Sequence, residues 1–506
     1  EERVARARLA EVTAEDVVRV AKAWLTEDRA VAIRRPGEPE LPTMTAPPLE
    51  ALPLRTGARS VLHDQVMALG ADPMVPQELT AGVDYSRSDT PAGPLYVAKN
   101  PYDDLFRLTL RWYTGSERDP LLCDALALWI RSGAGDLDRT AFEATLYSLA
   151  ADVDVRCGQR HVDVVLTGPG SALAELLPLV EERLRAPVVD PADAKKQLAD
   201  RVARRQEDRS TLNWSAGALR AFALHGEESP WLGGAPTDEQ VLSLEFADLA
   251  ARTAPLLSTR RTSLYTGPQG EFDVTRLLAR PDVLYQDPPE QPPIAYQSPQ
   301  KPRLLLLHHD SAQANVQLVI PDVPWSEEEY ALRALWNEYV GGSAGLVFQE
   351  IREARGLAYS AWASYGSGWR LGDQNLVSAG VGTQPDKAAD VAGLLLELLR
   401  DLPQDPDRWG RAKTSTVEKL RSQRIAFNAV AGTAEAWRLK GHTADPREDR
   451  LRSLRAPSLH DVAEWAQRFE SVPFTLAVVG DVDRMDLDAL GALARIERVE
   501  LDAISR

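Results

Sequence analysis

Seven histidines, His63, His161, His225, His308, His309, His442 and His460, are the first candidates for acid–base or metal chemistry in this 506-residue chain. No pair sits in a His-x-x-Glu-His spacing, which would put two imidazoles and a carboxylate on one helix face. His308 and His309 are neighbours in an apolar run that reads as a strand, so their side chains point to opposite faces and do not converge. His225-Gly226-Glu227 has the start of a zinc-deaminase pattern, but the Pro-Cys-x-x-Cys that completes it is missing. No P-loop, dinucleotide fingerprint or Gly-x-Ser-x-Gly elbow occurs. The two cysteines, Cys123 and Cys157, form no Cys-x-x-Cys pair; two small buried thiols are the favoured reading and one disulfide the alternative. Arg352 and Tyr359, taken alone, read as a surface helix arginine and a half-buried strand tyrosine.

The formal net charge of −17 and a pI near 5.0 argue against nucleic acid as a partner, because such a surface repels phosphate backbones. Mean hydropathy is −0.29 and no apolar run reaches bilayer length, so a soluble chain with no membrane partner is expected. Arg far outnumbers Lys and Ala is abundant, which hints at a GC-rich bacterial source. A chain of this length, 44% hydrophobic, suits two or more domains rather than one core.

The elements that must position any site show a repeat. A polar helix start, an aspartate followed by an apolar residue, an amphipathic stretch, a β-rich run and a glycine recur three times. The copies centre on Asp16, Asp248 and Asp461, spaced 232 and 213 residues apart. That period is domain-sized, too long for a solenoid. Each copy reads as the last helix and last strand of a domain; Thr13 and Ser458 are natural N-caps. Residues 1–35 are therefore expected to be the tail of a preceding domain, with Ala30 to Ile33 as its strand, and the chain start to be internal to a longer precursor. Proline-rich stretches at 36–59 and 281–302 read as extended linkers. Between and after them lie a first domain, 60–280, and a second, 303–506. Phe106 to Tyr113 and Asn315 to Ile320 alternate as half-buried strands, and Leu304 to Leu307 reads as a buried one. Ser326 with Glu329 predicts a capping box opening a helix whose Leu332, Leu335, Trp336 and Tyr339 share one face. The expected class is α+β: two α/β sandwich domains, each an antiparallel or mixed sheet with helices on one face.

The segment Tyr339 to Ser360 contains a Gly-rich turn (Gly341, Gly342, Gly345), then Phe348-Gln349-Glu350-Ile351-Arg352-Glu353, then Arg355-Gly356-Leu357-Ala358-Tyr359. It resembles a signature of the insulin-degrading/pitrilysin (inverzincin) metallopeptidase family, which includes mitochondrial processing peptidase subunits and the core proteins of the cytochrome bc1 complex. His225-Gly226-Glu227-Glu228-Ser229-Pro230-Trp231 and Thr237-Asp238-Glu239 are similar to a stretch that precedes a domain end in that family. The resemblance spans roughly 60–506 plus the tail at the start, and it implies one half of a clamshell.

In that family one half holds zinc through His-x-x-Glu-His. Here the corresponding helix, Leu121 to Trp129, puts Asp124, Ala127 and Leu128 where ligand, base and ligand would stand. Alanine moves no proton and leucine binds no metal, so no metal is expected in this chain. The resemblance implies that zinc is held by a partner half carrying His-x-x-Glu-His, as a separate or cleaved chain, and that this is the carboxy-terminal, non-catalytic half. It further implies that Arg352 and Tyr359 reach across to the substrate carbonyl and its oxyanion. Gly341, Gly342 and Ser343 would bring backbone close to a peptide. Arg355 is either an exposed structural cation or a further substrate contact. The expected activity is zinc-dependent endopeptidase cleavage of peptides or unfolded polypeptides inside a closing chamber, with this chain inactive alone. The alternative is a proteolytically inactive structural or binding protein on the same fold. The sequence does not set the compartment; the resemblance favours periplasm over cytoplasm.

Overall fold

The computed structural model describes residues 8, 11–26, 28–33, 60–69, 74 and 76–506, which fall in two compact units, 1–72 and 73–506. The expected linker at 36–59 lies outside the described residues. No helix among the described residues is long and apolar enough to cross a membrane.

In the first unit, helix α1 (Ala14–Trp24) starts from a capping box in which Asp16 accepts from the Thr13 backbone N–H at 3.2 Å. Its apolar side is uncovered: no residue of α1 is buried, and Trp24 is 81% exposed. A second helix covers Val61–Ala68. Residues 30–33 pair with no strand among the described residues.

The second unit is built on two six-stranded mixed sheets. The first contains β1 (Tyr85–Thr90), β2 (Gly93–Lys99), β3 (Leu105–Trp112), β4 (Asp152–Cys157), β5 (Val162–Pro169) and β6 (Thr262–Gly267), in the order β1-β2-β6-β3-β5-β4. The second contains β7 (Arg303–His308), β8 (Ala314–Pro324), β9 (Ala358–Gly366), β10 (Gln374–Thr383), β11 (Thr475–Gly480) and β12 (Arg495–Val499), in the order β9-β10-β8-β11-β7-β12. Five strands of each sheet repeat one topology; the sixth, an edge strand, is the first in one sheet (β1, antiparallel to β2) and the last in the other (β12, parallel to β7). An early strand pairs parallel to a late one (β2 with β6, β7 with β11). That late strand runs antiparallel to its other neighbour (β3, β8), followed by a hairpin-like antiparallel pair (β5 with β4, β10 with β9). The capping aspartate also recurs. Helix α5 (Phe246–Thr253) starts with Asp248 accepting from Glu245 N at 3.2 Å, and α9 (Leu459–Ala466) with Asp461 accepting from Ser458 N at 2.7 Å.

Each sheet packs helices of its own repeat on one face. On the first, α2 (Leu122–Trp129) and the helix Leu173–Arg185 bury Trp129, Leu176 and Val180 against Phe106, Leu108 and Val164. On the second, α6 (Tyr330–Trp336) and its continuation bury Leu335, Trp336 and Tyr339 against Val316, Leu318 and Val377. The other face is covered by exchange. After the long helix α3 (Pro191–Arg209), α4 (Leu212–His225) crosses to the second sheet and buries Leu219 and Leu224 with Leu305, Leu307 and Val479. After the long helix α7 (Pro406–Ser422), α8 (Val430–Leu439) crosses to the first sheet and buries Ala434 and Trp437 with Tyr96 and Leu264. Each such buried leucine contributes about 2 kcal/mol relative to exposure. This reciprocal cover explains why Leu304 to Leu307 are all buried and why Leu108 to Leu110 do not alternate. The arginine Arg111 on β3 clamps the exchange: it holds Asp163 of β5 at 2.7 and 2.8 Å and Glu435 of α8 at 2.6 Å.

Two local expectations are corrected. Ser326 and Glu329 form no capping box: Ser326 Oγ accepts from Glu328 N at 3.3 Å, while the Glu329 carboxylate is drawn to Arg468 at 2.8 and 3.0 Å. A bidentate charge-assisted pair outweighs one backbone contact at a helix start. The two cysteines are not thiols: Cys123 of α2 and Cys157 of β4 form a disulfide, their Cα atoms 5.3 Å apart.

Candidate functional site

The Gly-rich segment lies between two turns of π-helix, Asn337–Gly341 and Phe348–Ala354, a geometry often found at functional sites. Close packing sets it. A Cβ at Gly341 would collide with the Ala363 carbonyl of β9, so only glycine lets this turn rest on the strand. Helix α7 braces the turn from behind. Glu338 accepts from Lys419 at 2.7 Å and from Ser415 at 2.8 Å, and Arg408 reaches the Ala344 carbonyl at 3.4 Å and Glu350 at 3.5 Å. Ser343 is exposed, its carbonyl accepting from Gln349 at 3.1 Å.

The segment then turns into β9. Gly356 has φ +59°, the left-handed conformation that glycine adopts without strain, and Leu357 N donates to Ile351 O at 3.1 Å. Ala358 pairs with Thr383 and Ser360 with Gly382, so Tyr359 is the extra residue of a β-bulge. A bulge re-aims side chains, and Tyr359 and Ser360 are both exposed. The ring of Tyr359, 83% exposed, lies 6.0 Å from the Arg352 guanidinium, which also stacks 4.8 Å over Phe348. Arg352 has its side chain 41% exposed and one loose carboxylate neighbour, Glu353, at 3.7 Å. The structure thus brings Arg352 and Tyr359 together at an open sheet edge, with Phe348, which sequence reasoning missed, orienting the arginine. Its signal was the spacing: Phe348 and Arg352 are four apart on one helical face. Gly341, Gly342 and Ser343 belong to the adjoining turn, and Arg355 is exposed at its end.

The helix expected at the zinc position is α2. Asp124 is buried and its carboxylate pairs with Arg201 of α3, whose side chain is 37% exposed. A fixed guanidinium therefore sits on the one carboxylate of the Asp124, Ala127, Leu128 set. Among the described residues, no group of three or more His, Cys, Asp and Glu side chains is placed to hold a metal ion. Arg201 was not singled out from the sequence; its signal was Gln197, Arg201 and Arg204 at i, i+4 and i+7 of one helix.

The second unit thus carries an open Gly-rich site on its second sheet and, beside the first, a buried carboxylate tied to Arg201. Residues 269–415 match the family model described as the peptidase M16 inactive domain. A zinc protease of Mycobacterium tuberculosis, described as uncharacterized, is 34% identical over 106 residues, 21% of this chain and 23% of that protein. One of Streptomyces coelicolor, likewise uncharacterized, is 31% identical over 143 residues, 27% and 30%. Each match thus covers less than a third of the relative's length. Among solved structures, a peptidase M16 inactive domain from Pseudomonas fluorescens has a TM-score of 0.66 at 14% identity, over 79% of this chain and 98% of its own. A ferredoxin protease solved with Arabidopsis ferredoxin has 0.61 at 12% identity, over 93% of this chain and 50% of its own. Over residues 269–415 the chain is thus similar to the M16 peptidase inactive domain, and its wider fold is that of a solved M16 inactive domain.

Proposed function

We propose that this chain is the substrate-holding half of a zinc-dependent endopeptidase that cleaves peptides or unfolded polypeptides in a closing chamber, with zinc held by a partner half carrying His-x-x-Glu-His. Residues 60–280 and 303–506 would be its two domains, and residues 1–35 the tail of the domain before them. The observation that carries the reading is the contrast between Asp124, tied to Arg201, and the exposed pair of Arg352, on a π-helical turn, and Tyr359, on a bulge. On closure, the phenol donates a hydrogen bond to the oxyanion forming on the scissile carbonyl, and the guanidinium binds a neighbouring carbonyl. Gly341, Gly342, Ser343 and Arg355 line the same stretch of peptide. The Cys123–Cys157 disulfide suits an oxidising compartment such as a periplasm.

The test combines metal analysis and reconstitution. The dialysed chain alone is expected to hold far less than one zinc per molecule and to cleave nothing; adding the catalytic half should produce peptidase activity. Stoichiometric zinc bound by this chain would overturn the reading. A complex that binds peptide and never cleaves it would favour a proteolytically inactive binding protein.

A further inference from the structure

Helices α2 and α3 and strand β4 enclose a cavity of about 370 Å³, lined by the disulfide, Ala127, Leu128 and Val155 on its apolar side and by Arg131, Arg201 and Arg204 on its charged side. A second cavity of about 260 Å³ shares Cys123, Asp124 and Arg201 with it and runs on to Trp214 and Trp231. Together they have the size of a ligand cleft.

Three features set this cleft apart from the rest of the surface. The chain carries a net charge of −17, yet the walls here carry Arg131, Arg201, Arg204, Arg205 and Arg506 against Asp124 and Asp200, with Asp238 paired to Arg205 at 3.7 Å. Much of that cationic capacity is unspent. Arg201 engages Asp124 through Nε alone, Arg204 makes one contact with a backbone carbonyl, Asp200 O, at 3.3 Å, and Arg131 is exposed with no ion pair. At the far end, Trp214 and Trp231 pack edge to face at 4.4 Å, and the Trp214 indole N–H is buried without a hydrogen-bond partner. Unspent guanidinium donors favour planar carboxylates, and an indole N–H can only donate. An aromatic wall at one end favours a ligand with apolar side chains beside its charges.

We infer that the joined cavities bind an extended acidic peptide segment, with carboxylates on Arg131, Arg201 and Arg204 and an apolar side chain against the Trp214–Trp231 pair. The choice of a peptide rests on the proposed function; the carboxylate chemistry rests on the cavity. The cavity is lined from α2, α3 and β4 beside the first sheet, so it would anchor a substrate on a different sheet from the one that carries the Arg352–Tyr359 pair.

The test uses the whole chain without a catalytic half, so its failure would leave the zinc and rate measurements untouched. A fluorescein-labelled hexapeptide alternating glutamate and phenylalanine, with blocked ends, is titrated by anisotropy beside its glutamine counterpart. The acidic peptide is expected to bind about ten-fold tighter or more, and Arg131→Gln with Arg204→Gln to remove that advantage. Both arginines are exposed, so the fold should survive; unchanged circular dichroism and melting would confirm it. Equal affinity for the two peptides, an undiminished preference in the double variant, or displacement by inorganic phosphate as readily as by glutarate would overturn the inference.

Discussion

The two sheets of the second unit share a five-strand topology and differ in what stands at their chemical positions. On the first, α2 presents Asp124 to Arg201 and is stapled to β4 by a disulfide, so its polar group is spent internally. On the second, the corresponding hairpin edge carries a bulge that leaves Tyr359 and Arg352 open, while the supporting polar groups, Glu338, Arg408 and Glu350, are all paired behind them. One repeat ties its buried carboxylate into an internal ion pair. The other keeps an unsatisfied pair at the surface and spends its hydrogen bonds on holding that pair in place.

The largest expected effect breaks the first region. Cys123→Ala with Cys157→Ala should lower unfolding free energy by about 4 kcal/mol, the closure entropy of a loop with 34-residue separation, read from denaturant curves with and without reductant. Arg201→Met should cost about 2–3 kcal/mol, because it leaves the buried Asp124 carboxylate unpaired, and adding Asp124→Asn should restore most of the loss. A smaller effect lies at Lys440, just after α8, whose ammonium stands 5.2 Å from the Trp325 ring. Burial lowers the Lys440 ammonium from its usual value to about 8, helped by Arg450 and Arg333. Between pH 8 and the ordinary lysine range the unfolded chain binds the extra proton, so this group's penalty falls as pH rises. Lys440→Met should therefore melt higher than the parent at pH 7, and the gap should shrink by pH 9.5. Arg355→Ala, at an exposed site, should change stability by no more than about 0.5 kcal/mol.

What the sequence revealed was what local chemistry decides. The aspartates at 16, 248 and 461 were visible as repeated helix starts because a capping carboxylate acts within three residues. The strand Leu304 to Leu307 was visible because its burial is written in four leucines. What stayed hidden depends on partners far along the chain. Glu329 left its capping box for Arg468, 139 residues away, and the two cysteines met only because α2 lies beside β4. The exchange of α4 and α8 between sheets has no local signature, since an amphipathic helix does not say which sheet it covers. At the candidate site, the motif placed Arg352 and Tyr359, whereas the bulge that exposes Tyr359 emerges only from pairing with β10.

The most direct test is the rate split for Tyr359→Phe in the complex with a catalytic half. Loss of one oxyanion donor is expected to lower kcat by about 10²–10³-fold with little change in KM, while Arg352→Ala harms both parameters. Unchanged kcat in both variants, with zinc content and association intact, would contradict the account.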